Sequence, residues 1–337
     1  MSEIEQHNVQ QSVQQGAQEN LGAHRDAHHA QQNSAQQHST QQHGAQPSPS
    51  VRFTNATVTR GHRVIWTDGN FSIPRGTVTA IVGTNGAGKT TLLDVELGLL
   101  HLSNGSVEVL GLPAGKANEK IGYVPQNYAS DIDSNITAEQ SVRLGLDGTR
   151  FGIHRMSDQQ RDKITQALQL AGIENHRKLR LSEMSGGMRQ RVAIAQALVS
   201  DPELLLLDEP LANLDIAGQR DLVDVLAHLA EDLGMTIQIV AHDLNVLLPI
   251  LTGAIYLLDG HPHYAPIGHM MDSELLTHLY GTKVEVLKTV QGDMFVRPDP
   301  HVEPENRPIH THTPAEAARF HSDNKPADDN ARQMEVR

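Results

Sequence analysis

The segment GTNGAGKT at 83–90 fits the pattern G-x-x-x-x-G-K-[ST], and it constrains the fold of this chain more than any other feature. An apolar, β-branched run, TVTAIV at 77–82, precedes it, and the helical pattern LLDVELGLL at 92–100 follows it. Glycines let the backbone N–H groups of such a loop turn inward around phosphate oxygens, and the helix dipole points its positive end at them. The sequence therefore predicts a phosphate-binding loop between a strand and a helix. The predicted nucleotide-binding residues here are Gly83, Thr84, Asn85, Gly86, Ala87, Gly88, Lys89, Thr90 and Thr91.

Segments around this loop predict an α/β fold with a largely parallel sheet. ELLLL at 203–207 and TIQIV at 236–240 indicate buried strands, and the pattern over 218–234 predicts a crossover helix between them. Upstream, VRFTNATV and NFSIP indicate short antiparallel strands, with turn signals at Gly61 and Asp68-Gly69. The mixed sheet should therefore have an antiparallel part beside its parallel core.

The remaining patterns are helical or form a hairpin. Residues 137–200 have mainly helical spacing, which predicts an inserted helical subdomain at about 127–182. AIYLLDG followed by HPHYAPIG indicates a hairpin, and DSELLTHLYG indicates a last helix.

Both ends of the 337-residue chain differ from this middle part. Residues 1–50 lack aromatic residues and are rich in Gln and His, and residues 298–337 contain six prolines and a single aromatic residue. Such segments cannot bury enough apolar surface to offset the entropy of ordering them. We expect a disordered tail at 1–50, one compact domain at 51–297 and a second disordered tail at 298–337.

Charge and composition exclude several classes of protein. The net charge of −13 argues against nucleic acid as a partner, and the absence of cysteine excludes disulfides and thiolate metal sites. The first residues have no basic or apolar run typical of a secretory signal. The longest apolar stretch, 246–258, is interrupted by Pro249 and Gly253, and it is shorter than the roughly 20 residues that span a bilayer. We expect a soluble, cytoplasmic protein that can dock onto a membrane partner.

An acidic pair, Asp208-Glu209, follows the apolar strand pattern ELLLL. Nucleotide hydrolysis needs a carboxylate at a strand end to hold the metal and a second group that positions water. Asp208 is predicted to hold Mg²⁺ with the Thr90 hydroxyl, Glu209 to orient and polarise the attacking water, and Lys89 to reach the β- and γ-phosphates.

Four further segments complete an ordered set. Ser185-Gly186-Gly187 with Gln190-Arg191-Val192 resembles the signature motif of ABC transporter ATP-binding subunits, and Tyr123-Val124-Pro125-Gln126 resembles their glutamine loop. The segment 211–215 (LANLD) resembles their D-loop, and Ala241-His242-Asp243 their switch histidine. The resemblance covers 51–297. It implies an ABC-type P-loop NTPase fold, in which a mixed, largely parallel sheet has an antiparallel β subdomain and an inserted α-helical subdomain.

The resemblance also implies roles for individual residues. Gln126 would sense the metal and the γ-phosphate, so the implied Mg²⁺ ligands are Thr90, Gln126 and Asp208. His242 would hydrogen-bond the γ-phosphate, acting in catalysis with Glu209 and Lys89. The signature residues Ser185, Gly186 and Gly187 would contact ATP held by an opposite subunit. Two ATP molecules would therefore lie between two subunits, either two copies of this chain or this chain and a paralogous ATPase.

Two positions depart from the family pattern. Arg60 aligns with an aromatic residue that often stacks on adenine, and its guanidinium plane could stack there instead. Met188 stands where the signature usually ends in Gln, so we expect altered coupling without loss of nucleotide binding.

The substrate has only indirect signals. The segments IGYVPQNYASDIDSNITAEQSVRLG, AHDLNVLLP, LYGTKVEVL and QGDMFVR resemble the zinc/manganese uptake branch of the family. That resemblance implies membrane permease subunits and a solute-binding protein as partners, and a peripheral location on the inner face of the cell membrane.

Histidines are concentrated at the ends, with six of the twenty before residue 51 and eight from His261 onward. The pairs His24/His28 and His310/His312 could share a zinc ion, although a low-complexity tail without a specific role is the simpler interpretation. Three alternatives to a metal importer stay open at this point. They are the ATPase of an exporter or drug-resistance system, a soluble ABC protein that acts outside transport, and a histidine-rich metal buffer.

Overall fold

The structure is a computed structural model, and it describes residues 48–126, 128, 135–147, 156–270, 272–280, 283–288 and 294–298. Nearly all of both predicted tails, 1–47 and 299–337, lies outside the described residues, so their disorder stays a prediction. The predicted helical insertion is described in part. The first strand begins at Val51, at the predicted start of the domain.

An antiparallel sheet contains β1 (Val51–Arg60), β2 (Arg63–Ile73), β4 (Asn104–Val109) and β5 (Leu112–Pro113), in the order β2-β1-β4-β5. Its antiparallel pairing was predicted, but the turn signal at Asp68-Gly69 was wrong. That pair lies inside β2, where Gly69 faces Ala56 and the register shifts. Asn55 and Asp68 both adopt positive φ, at 47° and 57°, so the two strands bulge and continue instead of ending.

The central sheet follows the order β10-β9-β3-β8-β7-β6. The bounds of these strands are β3 (Val78–Gly83), β6 (Ile121–Val124), β7 (Leu204–Asp208), β8 (Thr236–Val240), β9 (Gly253–Leu258) and β10 (His261–Pro266). The neighbours from β6 to β9 are parallel, and β9 and β10 form the predicted antiparallel hairpin. All residues of β7 and β8 are buried, as expected for strands covered on both faces. Because β3, β7 and β8 are parallel, their carboxyl ends meet at one edge.

The helices are α1 (Lys89–Glu96), α2 (Ala138–Asp147), α3 (Asp158–Leu170), α4 (Gly186–Leu198), α5 (Ile216–Glu231), α6 (Ile267–Met270) and α7 (Ser273–Tyr280). The predicted bounds of two helices were wrong. The first was expected over 92–100, but Gly98 at φ 69° stops it early. The crossover helix was expected over 218–234, yet the Asp215 side chain accepts from the Gly218 N–H at 2.8 Å and starts it at Ile216, and Gly234 at φ 64° lies beyond its end.

Two apolar clusters cover the faces of the central sheet. The larger one joins the sheet to α3, α4 and α5 through residues such as Ile164, Val192 and Leu226. The smaller one packs α1 and the antiparallel sheet against the opposite face, with Trp66 and Leu92 fully buried. The loop between β3 and α1 is thereby held from both sides.

A second hairpin, β11 (Val284–Lys288) and β12 (Met294–Pro298), follows α7. Among the described residues, no helix is long and apolar enough to cross a membrane.

Candidate active site

The loop between β3 and α1 folds around its own lysine. The Lys89 ammonium donates to the carbonyl oxygens of Gly83, at 2.9 Å, and Thr84, at 3.3 Å, and the residue is 7% exposed. Burial lowers the pKa of Lys89, while the carboxylates of Glu209 and Asp208 act in the opposite direction. The ammonium therefore lies inside the loop, beside the N-terminus of α1, where a phosphate can meet both.

Glycine at position 88 is required by the fold. Gly88 adopts φ 100°, and a Cβ there would lie 2.5 Å from Ile65 Cγ2 and 3.0 Å from Trp66 Cδ1. At Gly86, with φ 79°, an added Cβ would have no atom within 4 Å. The loop is thus packed against β2 on one side and open on the other.

Asp208 ends β7 and is 2% exposed. Its Oδ2 accepts from the Thr90 hydroxyl at 3.0 Å, and within the described part of the chain Oδ1 has no hydrogen-bond partner. Burial raises the pKa of Asp208, the bond from Thr90 opposes this, and the charge of Glu209 adds to it. A buried carboxylate oxygen with no partner, beside a hydroxyl, fits the oxygen ligands that Mg²⁺ prefers. The donor set therefore suits Mg²⁺.

Glu209 contacts residues that follow the two strands beside its own. Its Oε2 accepts from Gln126 Nε2, beyond β6, and its Oε1 lies against His242 Nε2, beyond β8, both at 2.6 Å. Glu209 itself has φ 52°, and its N–H donates to the Val240 carbonyl at 3.2 Å. The left-handed backbone turns this side chain towards the strand ends, where it is 14% exposed. The structure therefore brings together Gln126, Glu209 and His242. Gln126 contacts Glu209 here, so its place among the metal ligands stays a prediction.

The signature residues lie apart from this cluster. Ser185 caps α4 by accepting from the Met188 N–H at 3.3 Å, and it is exposed. A Cβ on Gly187 would lie 3.6 Å from the Gly218 Cα, so the signature packs against the start of α5. No hydrogen bond within the described ranges joins Ser185, Gly186 or Gly187 to the loop at 83–90.

The two departures from the family pattern have different surroundings. Met188 packs its apolar side chain against the larger core, and its backbone still serves the Ser185 cap. Arg60, at the end of β1, is exposed, and its charge opposes the rise that burial causes in the pKa of Asp94 on α1. Stacking of Arg60 on a base stays a prediction.

Sequence reasoning missed a buried polar pair behind the loop. Glu96, at the end of α1, accepts from Gln238 Nε2 at 2.8 Å, and both residues are fully buried. Burial raises the pKa of Glu96 to about 8. The sequence does contain a signal for a buried acid here, because helical spacing puts Glu96 on the same face as Leu92 and Leu93.

A histidine site for a transported ion was also considered from the sequence. Both histidine pairs named for it, His24/His28 and His310/His312, lie outside the described residues. Over the ranges that the structure describes, no group of three His, Asp or Glu side chains could hold a metal ion.

Comparisons with known proteins agree with this geometry. The ABC transporter family profile matches residues 66–212. The zinc transport system ATP-binding protein TroB of Treponema pallidum is 38% identical over 184 residues, covering 55% of this chain and 68% of TroB. The manganese transport system ATP-binding protein MntB of Bacillus subtilis is 30% identical over 238 residues, covering 71% of this chain and 95% of MntB.

A solved structure agrees as well. The ATP-binding cassette MJ0796, a dimer in a post-hydrolysis state bound to ADP and Pi, is 28% identical with a TM-score of 0.54, and the match covers 64% of this chain and 98% of MJ0796. The family and fold expected from the ordered motifs are confirmed. The chain belongs to the ABC transporter family, as one of its ATP-binding subunits, which hydrolyse ATP.

Proposed function

We propose that this chain powers the import of zinc or manganese ions through a membrane permease. The observation that carries the ATP hydrolysis behind this import is the position of Glu209, which lies between Gln126 and His242 and next to the buried Asp208. Similarity to TroB and MntB, named for zinc and manganese transport, supports the choice of metal.

Nucleotide binding uses the loop at 83–90 together with Thr91. Its backbone N–H groups and the Lys89 ammonium hold the phosphates, and Arg60 stacks on the base. Thr90, Gln126 and Asp208 would hold Mg²⁺, which would neutralise phosphate charge. Binding ATP requires Lys89 to exchange the carbonyls of Gly83 and Thr84 for phosphate oxygens.

Hydrolysis depends on how Glu209 is held. One carboxylate oxygen accepts from Gln126 and the other lies against His242, so the carboxylate is fixed in one orientation before the reaction. In the catalytic state Glu209 polarises the attacking water, and His242 donates to the γ-phosphate. His242 is 49% exposed, which leaves its ring accessible to the nucleotide.

The active unit is a dimer. The signature residues Ser185 and Gly186 are exposed, Gly187 is half-buried, and no hydrogen bond among the described residues joins them to the loop at 83–90 of their own chain. We infer that they complete the site of an opposite subunit. The dimeric state of MJ0796 supports this arrangement. The partner subunit is a second copy or a paralogous ATPase. The dimer docks on permease subunits at the cytoplasmic face of the membrane and works with a solute-binding protein.

Metal content of cells tests the proposal. In a strain that lacks this chain, zinc and manganese are measured after growth at limiting metal, with complementation by the wild type, Glu209→Gln or Glu231→Gln. Glu231 is exposed at the end of α5, and its substitution is a matched control. Wild type and Glu231→Gln should restore accumulation of one metal, and Glu209→Gln should not. Higher metal content in the deletion strain would show export and overturn the proposal. Equal complementation by Glu209→Gln would overturn the catalytic assignment.

A further inference from the structure

The chain turns sharply after β8, in the segment that carries His242. The N–H of Asn245 donates to Asp243 Oδ1 at 2.8 Å, closing a tight turn three residues after the histidine. Leu244 and Leu247 are fully buried in the larger core. The position of His242 relative to Glu209 therefore depends on how this turn is held.

The side chain of Asn245 makes two hydrogen bonds to the backbone of one residue of β12. Its Nδ2 donates to the Val296 carbonyl at 2.9 Å, and its Oδ1 accepts from the Val296 N–H at 2.7 Å. A paired donor and acceptor fix both distance and orientation, as backbone pairing does in a sheet. Val296 is 8% exposed and Asn245 is half-buried, so both bonds are partly shielded from water.

The hairpin that supplies Val296 is itself anchored elsewhere. The N–H of Val284 donates to Thr277 Oγ1 at 3.1 Å, and the N–H of Val286 donates to Ser273 Oγ at 3.3 Å, both on α7. Val284 and Val296 belong to the larger core. In the part of the hairpin that the structure describes, hydrogen bonds reach α7 and, through Asn245, the segment that carries His242.

We propose that Asn245 is a positioning residue for ATP hydrolysis, and that through it the C-terminal hairpin holds His242 in reach of Glu209. The inference rests on the proposed roles of His242 and Glu209. Without the Asn245 side chain, the turn loses its fixed distance to β12, and the His242 ring occupies its position beside Glu209 for a smaller fraction of the time. Among the described residues no hydrogen bond joins the loop at 83–90 to residues 243–245, so we expect the affinity for ATP to be retained.

Steady-state ATPase kinetics of the full chain, together with titration calorimetry of ATP, test the inference. Asn245→Ala should lower kcat about five- to tenfold, the population change expected from losing one or two hydrogen bonds, with an unchanged Kd for ATP. Ser273→Ala, which removes one of the two hydrogen bonds described between the same hairpin and α7, should keep kcat within about twofold. Asn245→Asp retains the acceptor but cannot donate, and its kcat should lie between those of wild type and alanine. Asn245→Asp also tests the inference if the alanine variant does not fold.

The controls separate this inference from the proposed function. His242→Ala should abolish most hydrolysis; if it does not, the catalytic assignment fails. If His242→Ala is inactive while Asn245→Ala and Asn245→Asp turn over like the wild type, the positioning role is refuted. An equal loss of kcat in Ser273→Ala would show general loosening of the hairpin, and would also refute it.

Discussion

Replacing Gly88 with alanine should separate the two reasons for a glycine in the phosphate-binding loop. One is the backbone, which adopts φ 100° at this position. The other is space, since the new Cβ would lie 2.5 Å from Ile65 Cγ2. Gly86→Ala is the matched control, because Gly86 shares the positive φ, at 79°, but has nothing within 4 Å.

The two costs can be estimated separately. A left-handed backbone costs a non-glycine residue about 1–2 kcal/mol, and overpacking adds about 1–3 kcal/mol. Gly86→Ala should therefore lower the free energy of unfolding by about 1–2 kcal/mol, and Gly88→Ala by about 2–5 kcal/mol. The excess for Gly88 is the price of the contact with β2.

Urea unfolding without nucleotide measures these differences, and a double-mutant cycle isolates the contact. Ile65→Ala removes the Cγ2 atom, so the Gly88→Ala/Ile65→Ala double variant should recover about 1–2 kcal/mol relative to the sum of the single variants. Recovery stays partial because Trp66 Cδ1 lies 3.0 Å from the same position. Equal destabilisation by Gly86→Ala and Gly88→Ala, or strict additivity in the cycle, would refute the packing argument.

Three further outcomes follow from single contacts. Lys89→Ala should weaken ATP binding about 10- to 100-fold in titration calorimetry, because a charged donor is lost. The control Lys120→Ala breaks an exposed ion pair with Glu203 and should bind ATP like the wild type; equal affinities of the two variants for ATP would contradict the loop assignment. Thr90→Val removes the hydroxyl on Asp208, so half-maximal ATPase activity should need more Mg²⁺; an unchanged Mg²⁺ titration would count against this site. Burial raises the pKa of Glu96 from 4.5 to about 8, so between these values the folded state holds one proton more than the unfolded state. The free energy of unfolding should therefore fall by about 1.4 kcal/mol per pH unit from pH 5 to pH 8. Denaturant midpoints across that range should show this fall in the wild type and a shallower one in Glu96→Gln, and parallel curves would exclude Glu96 as its source.

The catalytic edge was predictable because its parts are local. A glycine loop, a carboxylate pair and a histidine each follow an apolar run, and the carboxyl ends of parallel strands meet at one edge. Local patterns therefore predicted Lys89, Asp208 and Glu209 at this edge, and the family resemblance added Gln126 and His242.

The features that could not be predicted from the sequence depend on packing between distant positions or on ambiguous local signals. The contact of Asn245 with Val296 joins positions 51 residues apart, and no periodicity marks either one. Asp68-Gly69 suits a turn and a bulge equally well, and only pairing with β1 decides between them. The pattern LLDVELGLL continues past Gly98, so its apolar spacing overstated the end of α1.

We propose that ATP is held between two subunits and that Glu209 acts after ATP binds. Glu209→Gln retains the size of the side chain but not the charge that polarises water, so it should trap the ATP-bound state. Size-exclusion chromatography with light scattering measures this directly, in ATP, in ADP and without nucleotide. We predict a dimer of Glu209→Gln in ATP and a monomer in the other two conditions. A variant that binds ATP yet stays monomeric would contradict it.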